Sequence, residues 1–489
     1  MKYLFWFILL NILHISSLYG QFSWAGLDSF ITAKMEQHHF PGMQVCIVEN
    51  DQILWTGAYG YANIEQNKAV SDSTLFQIAS VAKPFAGTAL MQLWEKGLFA
   101  LDADIDNYLS FEIRNPYFPD DPITFRMLFT HTAGIADNWA RMIQLYTYSA
   151  DSPVSLESFV ENYFRADGTY YTARNWRNTA PGSSRNYTDA GYALIGYMVG
   201  LLADTPFADY CHFNIFDPLG MKDTSWFIAG VDSNKIATPY TYNETGYSPS
   251  AQIGTPFYPG GQLFTSAVQL ATFLMEFIQK DQAAGTKILK SATMDSMTTV
   301  QNSQVDQTQG LTWIIEDISV SQVGNRTICG HTGGWDIGIN ARASFILGAE
   351  NIGIIILTNR WNSTGIYQIE AGLFKYGILN STVGIEDLKD TDSPKKIGLN
   401  QNYPNPFNPS TTIEFTLPKS EFVELKVYNI LGKEISILVS KKLNQGNHTY
   451  TFDGKNLASG IYYYQLVAGD PSTSSGQRFR EVKKMILLK

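Results

Sequence analysis

The stretch Phe76-Gln-Ile-Ala-Ser-Val-Ala-Lys83 decides how the rest of this sequence is interpreted. It places Ser80 and Lys83 three residues apart at a predicted helix start, and three residues are nearly one helical turn, so both side chains share a face. A serine hydroxyl is a weak nucleophile unless a base removes its proton. Lysine can be that base if burial and neighbouring groups lower its pKa from ~10.4 to about 7. The pattern therefore predicts a nucleophile and its base at the positive end of a helix.

Two later motifs supply groups that such a pair needs. Tyr187, in Asn186-Tyr-Thr-Asp189, carries a phenol that can pass protons between nucleophile and leaving group. In His331-Thr-Gly-Gly334 the glycines let a strand approach the substrate, so that a backbone N–H can face a carbonyl oxygen. Taken alone, Tyr187 also fits a core aromatic residue and His331 an ordinary residue at a strand end. Their combination with Ser-x-x-Lys favours a serine hydrolase.

In this order the three motifs resemble those of the serine β-lactamase-related family. That family includes class C β-lactamases, D-alanyl-D-alanine carboxypeptidases, D-aminopeptidases and esterases. The resemblance extends from about Phe22 to Asn359. It includes three flanking segments, Leu128-Phe-Thr-His-Thr-Ala-Gly134, Pro259-Gly-Gly-Gln-Leu-Phe-Thr-Ser266 and Leu357-Thr-Asn359.

The resemblance implies acyl transfer through an acyl-enzyme. Ser80 attacks a carbonyl, Lys83 and Tyr187 transfer the protons, and water then releases the acyl group. The oxyanion hole would be formed by the backbone N–H groups of Ser80 and Gly334. By the same resemblance the segment around His131 is structural. The positions implied for substrate or oxyanion binding are Asp189, His331, Thr332, Gly333 and Gly334.

Two departures from the family pattern bear on the substrate. β-Lactamases of this type usually have Asn where this chain has Asp189, and a carboxylate brings charge where an amide would donate a hydrogen bond. They also usually have Lys where this chain has His331. Lysine offers a cation to a substrate carboxylate, whereas histidine is largely neutral near pH 7. The His-Thr-Gly motif resembles the peptidase and aminopeptidase members, so we expect poor hydrolysis of β-lactam antibiotics.

Apolar periodicity predicts an α/β fold for this part of the chain. A helix over Leu27–Gln37 precedes two strands, and a mostly helical middle extends from about Ser80 to Ile278. Early and late strands around a helical insertion predict one antiparallel sheet built from both ends, as in β-lactamase-like domains. The predicted strands are Met43–Val48, Ile53–Tyr59, Leu311–Ile315, Ala341–Leu347 and Ile352–Leu357.

The composition changes at about Gly384, where a polar linker over 384–400 is predicted. The tail over 401–489 has short alternating strands and turns, which predict a small all-β sandwich. Its segments Asn402-Tyr-Pro-Asn-Pro-Phe-Asn-Pro409, Tyr428–Lys433 and Leu457–Tyr463 are similar to type IX secretion sorting domains. The resemblance implies that the export machinery is a partner; the alternative is a fibronectin-like spacer or a glycan-binding module.

The N-terminus and the composition indicate an exported protein. Residues 1–20 have a positive start, a short apolar run and small residues, which predict a signal peptide rather than a membrane anchor. The domain expected to follow covers residues 21–383. A net charge of −10 without a basic stripe argues against nucleic acid or an anionic membrane surface as the main partner. Three distant cysteines indicate buried thiols.

The sequence leaves three functional classes open. One is a hydrolase of amide or peptide bonds, such as those of D-amino-acid peptides, and a second is an esterase for small acyl esters. The third is a surface binding protein that keeps the fold without turnover. No motif with metal-ligand or phosphate-loop spacing is present in the sequence, so neither a metal nor a cofactor is expected. Trp335 and the Tyr170-Tyr171…Trp176 stretch fit either pocket lining or core packing.

Overall fold

A computed structural model of the chain describes residues 24–279, 288–348 and 350–381. Toward the C-terminus it describes residues 397–399, 402, 405, 407–443, 446–469 and 479–488. The predicted signal peptide and nearly all of the predicted linker lie outside the described residues. The chain divides between residues 381 and 382 into two units, which are described separately.

The first unit contains a seven-stranded antiparallel sheet that takes strands from both of its ends. In spatial order the strands are β4-β5-β6-β7-β1-β2-β3. The early strand β1 pairs with the last strand β7, with Met43 opposite Thr358. This confirms the predicted sheet. The strands are β1 Gly42–Glu49, β2 Gln52–Asn63, β3 Lys68–Ala69, β4 Ile314–Val320, β5 Gly324–Trp335, β6 Ile339–Ile346 and β7 Ile352–Thr358.

The central strands β6, β7 and β1 are buried along their whole length because both faces of the sheet are covered. All eight residues of β1 are buried. Val45 and Ile47 face one apolar core and Cys46 and Val48 face the other, as expected for alternating side chains of a strand. One core is covered by the first and last long helices, and the other by helices from the middle of the chain. The long helices are α1 Trp24–His38, α2 Lys83–Glu95, α3 Leu156–Phe164, α4 Asp189–Ala203, α5 Ala267–Ile278 and α6 Ser363–Asn380.

The middle of the chain contains fewer long helices than the sequence suggested. Between α2 and α5 the chain forms α3, α4 and short elements. The short α-helices of this unit are Phe125–Phe129, Trp139–Met142, Phe207–Cys211, Asp217–Leu219 and Ser291–Met297. The short strands are Phe76–Gln77, Thr147–Tyr148, Tyr240–Asn243, Gly246–Pro249, Ile253–Gly254 and Phe264–Thr265.

The strand predictions were least accurate for β4 and β5, two of the strands that come from the C-terminal part of this unit. The predicted strand Leu311–Ile315 begins only at Ile314, because residues 311–313 form a buried bend in which Thr312 has a φ of 76°. Strand β5 was not among the strands predicted from periodicity, although its glycine motif was expected to lie on a strand. Its glycines and polar residues mask the two-residue alternation on which a strand prediction depends. This strand carries the His331 motif.

The second unit is all-β, as predicted. Burial alternates strictly along Thr411–Leu417, so one face of each sheet forms the core. The strands form a three-stranded sheet, β8-β9-β12, and a four-stranded sheet, β11-β10-β13-β14. They are β8 Gly398–Leu399, β9 Ser410–Leu417, β10 Glu421–Asn429, β11 Glu434–Leu443, β12 Gly446–Asp453, β13 Gly460–Ala468 and β14 Phe479–Leu487.

All three cysteines are buried thiols that form no disulfide among the described residues, as predicted from their spacing. Among the described residues, none of the helices has the length and apolarity that a membrane span requires.

Candidate active site

Ser80 lies in a tight turn between a short strand and a helix. A 3₁₀ turn over Ala79–Ala82 leads directly into α2, which begins at Lys83. Ala79 has a φ of 45°, a left-handed conformation that costs a residue with a side chain about 1–3 kcal/mol. The fold holds this turn in place through a backbone hydrogen bond from Ile78 to Leu263. The strained residue therefore immediately precedes the candidate nucleophile.

The Lys83 ammonium lies against the Ser80 hydroxyl. Its Nζ donates to Ser80 Oγ at 3.1 Å, to Asp189 Oδ1 at 2.5 Å and to the carbonyl oxygen of Gly260 at 2.5 Å. The side chain is fully buried. All three hydrogens of the ammonium group therefore have acceptors, and one of these acceptors is the candidate nucleophile.

The charge state of Lys83 differs from the expectation. Burial lowers the pKa of Lys83, but the charge of Asp189 and hydrogen bonds to Asp189 and Tyr187 outweigh burial and raise that pKa above its usual value. The expected fall toward 7 was wrong for the resting protein because the neighbour of the amine is a carboxylate. Lys83 is an ammonium ion in this arrangement.

Tyr187 lies beside the same ammonium. Its ring centroid is 4.7 Å from Lys83 Nζ. Burial raises the pKa of Tyr187, while the Lys83 charge and hydrogen bonds with Lys83 and Ser80 act in the opposite direction; the net shift is upward. The residue is nevertheless 39% exposed, so an incoming molecule can reach it. Tyr187 is thus a neutral phenol in contact with both Ser80 and Lys83.

Asp189 is held at the first turn of α4 by a second carboxylate. Both oxygens of Asp137 accept the backbone N–H of Asp189, at 2.8 and 3.0 Å, and one accepts that of Ala190 at 2.9 Å. Burial, followed by the Asp189 charge, raises the pKa of Asp137 to about 7. Thr188 caps the same helix through the N–H of Gly191. The Asp189 carboxylate therefore points at Lys83 from a firmly held helix end.

Strand β5 runs beside the turn that carries Ser80, and successive residues of the strand face opposite sides. A Cβ on Gly333 would lie 2.1 Å from the Ile78 carbonyl oxygen and 3.0 Å from Ser80 N, so only glycine permits this approach. Thr332 and Gly334 face the other side of the strand. Thr332 Oγ1 accepts from Arg342 Nη1 at 2.8 Å, and a Cβ on Gly334 would lie 2.8 Å from Trp361. The Thr332 hydroxyl thus accepts from Arg342, and it also lies 3.3 Å from the Tyr367 hydroxyl.

His331 is a buried neutral imidazole. Its Nδ1 lies 2.9 Å from the Thr332 carbonyl oxygen, which makes Nδ1 the donor, and Nε2 is buried without a hydrogen-bond partner among the described residues. Burial and the nearby Lys83 charge lower the pKa of His331 to about 3. The ring centroid is 6.3 Å from that of Tyr187. The position that is cationic in class C β-lactamases carries no charge here.

The low pKa of His331 leads us to expect that the free energy of unfolding falls in acid. Because its pKa is lower in the folded chain than the usual ~6.5, the unfolded chain binds more protons below pH 6.5, and stability falls as pH falls. Between pH 6.5 and 5 we expect His331 to remove about 2 kcal/mol of unfolding free energy. Urea unfolding followed by tryptophan fluorescence should show a shallower pH slope for His331→Gln. The exposed His212→Gln variant is the control, and parallel curves for wild type and His331→Gln would contradict the prediction.

His131 supports Tyr187, and we infer no direct part in the reaction. Its ring centroid lies 4.3 Å from that of Tyr187, and its Nδ1 accepts the backbone N–H of Thr188 at 3.2 Å. Burial, aided by the Lys83 charge, lowers the pKa of His131 well below its ordinary value. A neutral ring packed on the phenol fits the structural role that the resemblance implied.

The aromatic residues that the sequence left open divide between two roles. Trp176 is 3% exposed and belongs to the core. Trp335 is half-buried, with its ring centroid 6.2 Å from that of Tyr146. A Cβ on Gly261 would lie 3.5 Å from the Ala79 carbonyl carbon and 3.6 Å from the Trp335 ring, so Trp335 lies beside the turn that carries Ser80.

Asp137, Tyr146 and Arg185 are the site residues that sequence reasoning missed. Asp137 follows the Thr-His-Thr-Ala-Gly134 segment by three residues, and Arg185 precedes Tyr187 by two. For Asp137 and Arg185, the signal available in the sequence was their closeness to recognised motifs. It does not reveal which way a side chain points.

Two family models together cover most of the chain. Residues 27–373 match the model described as Beta-lactamase, and residues 401–477 match the model described as a secretion system C-terminal sorting domain. The chain is 26% identical over 219 residues to penicillin-binding protein 4* of Bacillus subtilis, which covers 42% of this chain and 43% of that protein. This chain thus spans less than half the length of the curated relatives it matches.

Solved structures show the same fold at low identity. A penicillin-binding protein homologue from Pyrococcus abyssi has a TM-score of 0.57 and 18% identity, covering 94% of this chain and 96% of its own. A D-alanine carboxypeptidase from Burkholderia cenocepacia has a TM-score of 0.54 and 21% identity, covering 72% and 99%. These likenesses agree with the predicted β-lactamase-like α/β domain.

Proposed function

This chain belongs to the β-lactamase family, and on that premise we propose that it is an exported serine hydrolase acting through an acyl-enzyme at Ser80. The observation that carries the proposal is the contact between the Ser80 hydroxyl and the buried Lys83 ammonium, with Tyr187 against both. The substrate is an amide, peptide or ester. Its acyl carbonyl lies in an oxyanion hole formed by the backbone N–H groups of Ser80 and Gly334.

The proton transfers follow from the charge state of Lys83. Because its three hydrogens already have acceptors, the amine must lose one proton before it can act as a base, and Asp189 Oδ1, 2.5 Å away, is the acceptor for that proton. This transfer runs against the raised pKa of Lys83 and therefore forms part of the reaction barrier. The amine then turns its lone pair from Asp189 toward Ser80. The freed lone pair then takes the Ser80 proton as Oγ attacks the carbonyl carbon. Tyr187 donates its proton to the leaving group and regains one from Lys83. Water next attacks the acyl carbon and gives one proton to Lys83 or Tyr187, and these groups pass a proton to the departing Ser80 Oγ. Asp189 then returns its proton to Lys83, which restores the starting state.

Covalent labelling tests the nucleophile. A serine-directed fluorophosphonate should label the purified protein, and mass spectrometry should locate the label on Ser80. Ser80→Ala should lose the label because, within the described part of the chain, Ser80 carries the only serine hydroxyl that is hydrogen-bonded to Lys83. The exposed neighbour variant Ser183→Ala is the control and should label normally. Equal labelling of wild type and Ser80→Ala would reject the assignment.

The C-terminal unit supports export of this hydrolase. Residues 401–477 match a secretion-system sorting domain, and we propose that the type IX machinery carries the protein to the cell surface or the medium. The labelling assay can be run on cell fractions with the full chain and with a chain ending at residue 400. Labelled protein should leave the periplasm only with the tail present. Equal release of both chains would favour the spacer or glycan-binding alternative.

A further inference from the structure

Asp137 is a second carboxyl group that lies close behind the candidate base. Both of its oxygens accept the backbone N–H of Asp189, at 2.8 and 3.0 Å. The side chain of Asp189 in turn lies 2.5 Å from Lys83 Nζ, which donates to the Ser80 hydroxyl. Among the described residues, Asp137 is hydrogen-bonded to neither Lys83 nor Ser80. It can therefore influence the nucleophile only through Asp189 and the electric field at Lys83.

Two like charges and one opposite charge meet at this point of the fold. Burial, followed by the charge of Asp189, raises the pKa of Asp137 to about 7, and the charge of Lys83 opposes this rise as the smallest of the effects. The order agrees with the geometry, because Asp137 is hydrogen-bonded to residue 189 and not to Lys83. Repulsion between the two carboxylates thus outweighs the attraction between Asp137 and the ammonium group.

We propose that Asp137 is a positioning residue whose negative charge favours transfer of the Lys83 proton to Asp189 and so frees the base. The proposal rests on the proposed hydrolase function. In the transfer, an N–H bond of Lys83 breaks and an O–H bond forms on Asp189, which turns the ion pair into a neutral amine and a carboxylic acid. When Asp137 is ionised, this step removes the larger repulsion and loses only the smaller attraction. When Asp137 is protonated, neither force acts, and the base is freed less readily.

The groups that face Asp137 keep their protons over the range in which Asp137 titrates. Besides Asp189, they are Lys83 on α2, Tyr163 on α3 and Tyr146. Burial raises the pKa of both phenols, and the charge of Asp189 keeps the pKa of Lys83 above its usual value despite burial. Asp137 is partly exposed, so it can exchange its proton with the solvent. Its charge therefore changes near neutral pH while the charges of Lys83 and the two phenols stay constant.

The pH dependence of fluorophosphonate labelling tests this role on the purified full chain. The rate constant for labelling Ser80 should rise about tenfold from about pH 6 to about pH 8, since a coupling of one pKa unit between two groups is a tenfold effect and is reciprocal. Asp137→Asn should react at the wild-type rate near pH 6 and show no rise, because the amide stays uncharged while its oxygen can still accept N–H groups. His131 and His331 have lowered pKa values and are neutral throughout this range, so they add no rise.

Two further variants separate the charge of Asp137 from its hold on the helix. Asp137→Glu restores the charge and should restore at least part of the rise. Thr188→Ala removes the other side-chain hydrogen bond at the start of α4, the one to the N–H of Gly191, without changing any charge. It should shift the labelling rate by the same factor at both pH values and keep the rise. Difference infrared spectra of the wild type should show a protonated carboxyl band that is lost between the two pH values and is absent from Asp137→Asn.

The outcomes distinguish this proposal from the hydrolase function. A wild-type labelling rate that is equal at both pH values overturns the role of Asp137 and leaves the hydrolase function standing. So does a rise that persists in Asp137→Asn, or a rate in that variant that is reduced equally at both pH values. If Ser80 of the wild type is labelled at neither pH, the hydrolase function itself fails.

Discussion

Replacing Lys83 with methionine is expected to slow fluorophosphonate labelling of Ser80 by about 10²–10⁴-fold, the usual contribution of a general base. Methionine has a similar length but cannot accept the serine proton. The same change leaves Asp189 buried without its cation, and removing one partner of a buried pair costs about 3–5 kcal/mol. Lys83→Met should therefore lose both reactivity and stability.

A double variant separates these two losses. Lys83→Met/Asp189→Asn has no unpaired buried charge, so its unfolding free energy should recover most of the loss. Its labelling rate should stay as low as that of Lys83→Met, because the base is still missing. Labelling kinetics and urea unfolding on the same samples measure both quantities. A double variant labelled within about tenfold of wild type would show that Lys83 only maintains the fold.

Replacing Glu370 with glutamine is expected to lower the unfolding free energy of the first unit by about 3–5 kcal/mol. Arg342 lies on β6 with 2% of its side chain exposed, and Glu370 on α6 with 3% exposed; Nε and Oε1 are 2.7 Å apart. Glu370 also accepts from Ser344 Oγ at 2.5 Å. Losing the carboxylate leaves a buried guanidinium short of one of its two anionic partners.

A matched ion pair on the same sheet provides the control. Arg326 and Glu350 form an equally close pair, but their side chains are 17% and 26% exposed. Glu350→Gln should cost less than about 1 kcal/mol. Nine of the ten tryptophans of the chain lie between residues 24 and 361, so tryptophan fluorescence during urea unfolding follows mainly the first unit. Similar losses for Glu370→Gln and Glu350→Gln would contradict the prediction.

The charge of the candidate base was the main error of sequence reasoning at the site. Ser80, Lys83 and Tyr187 were identified from their motifs, and the structure brings them into contact. The sequence indicated that Asp189 adds charge, but not that its carboxylate would lie 2.5 Å from Lys83. That distance depends on the start of α4, which Asp137 fixes from a separate loop. Pairing between distant segments cannot be deduced from motif spacing.

The sequence by itself determined the α/β class, the sheet from both ends, the all-β tail and the list of reactive groups. These depend on local periodicity, turn residues and motif identity, which neighbouring residues encode. The tertiary structure alone decided that Lys83 is charged, that the Thr332 hydroxyl accepts a hydrogen bond from Arg342 and that the terminal nitrogens of Arg185 have no hydrogen-bond partner among the described residues. Charge state and donor availability are set by burial and by partners up to hundreds of residues away, and only the folded chain brings those partners within hydrogen-bond distance.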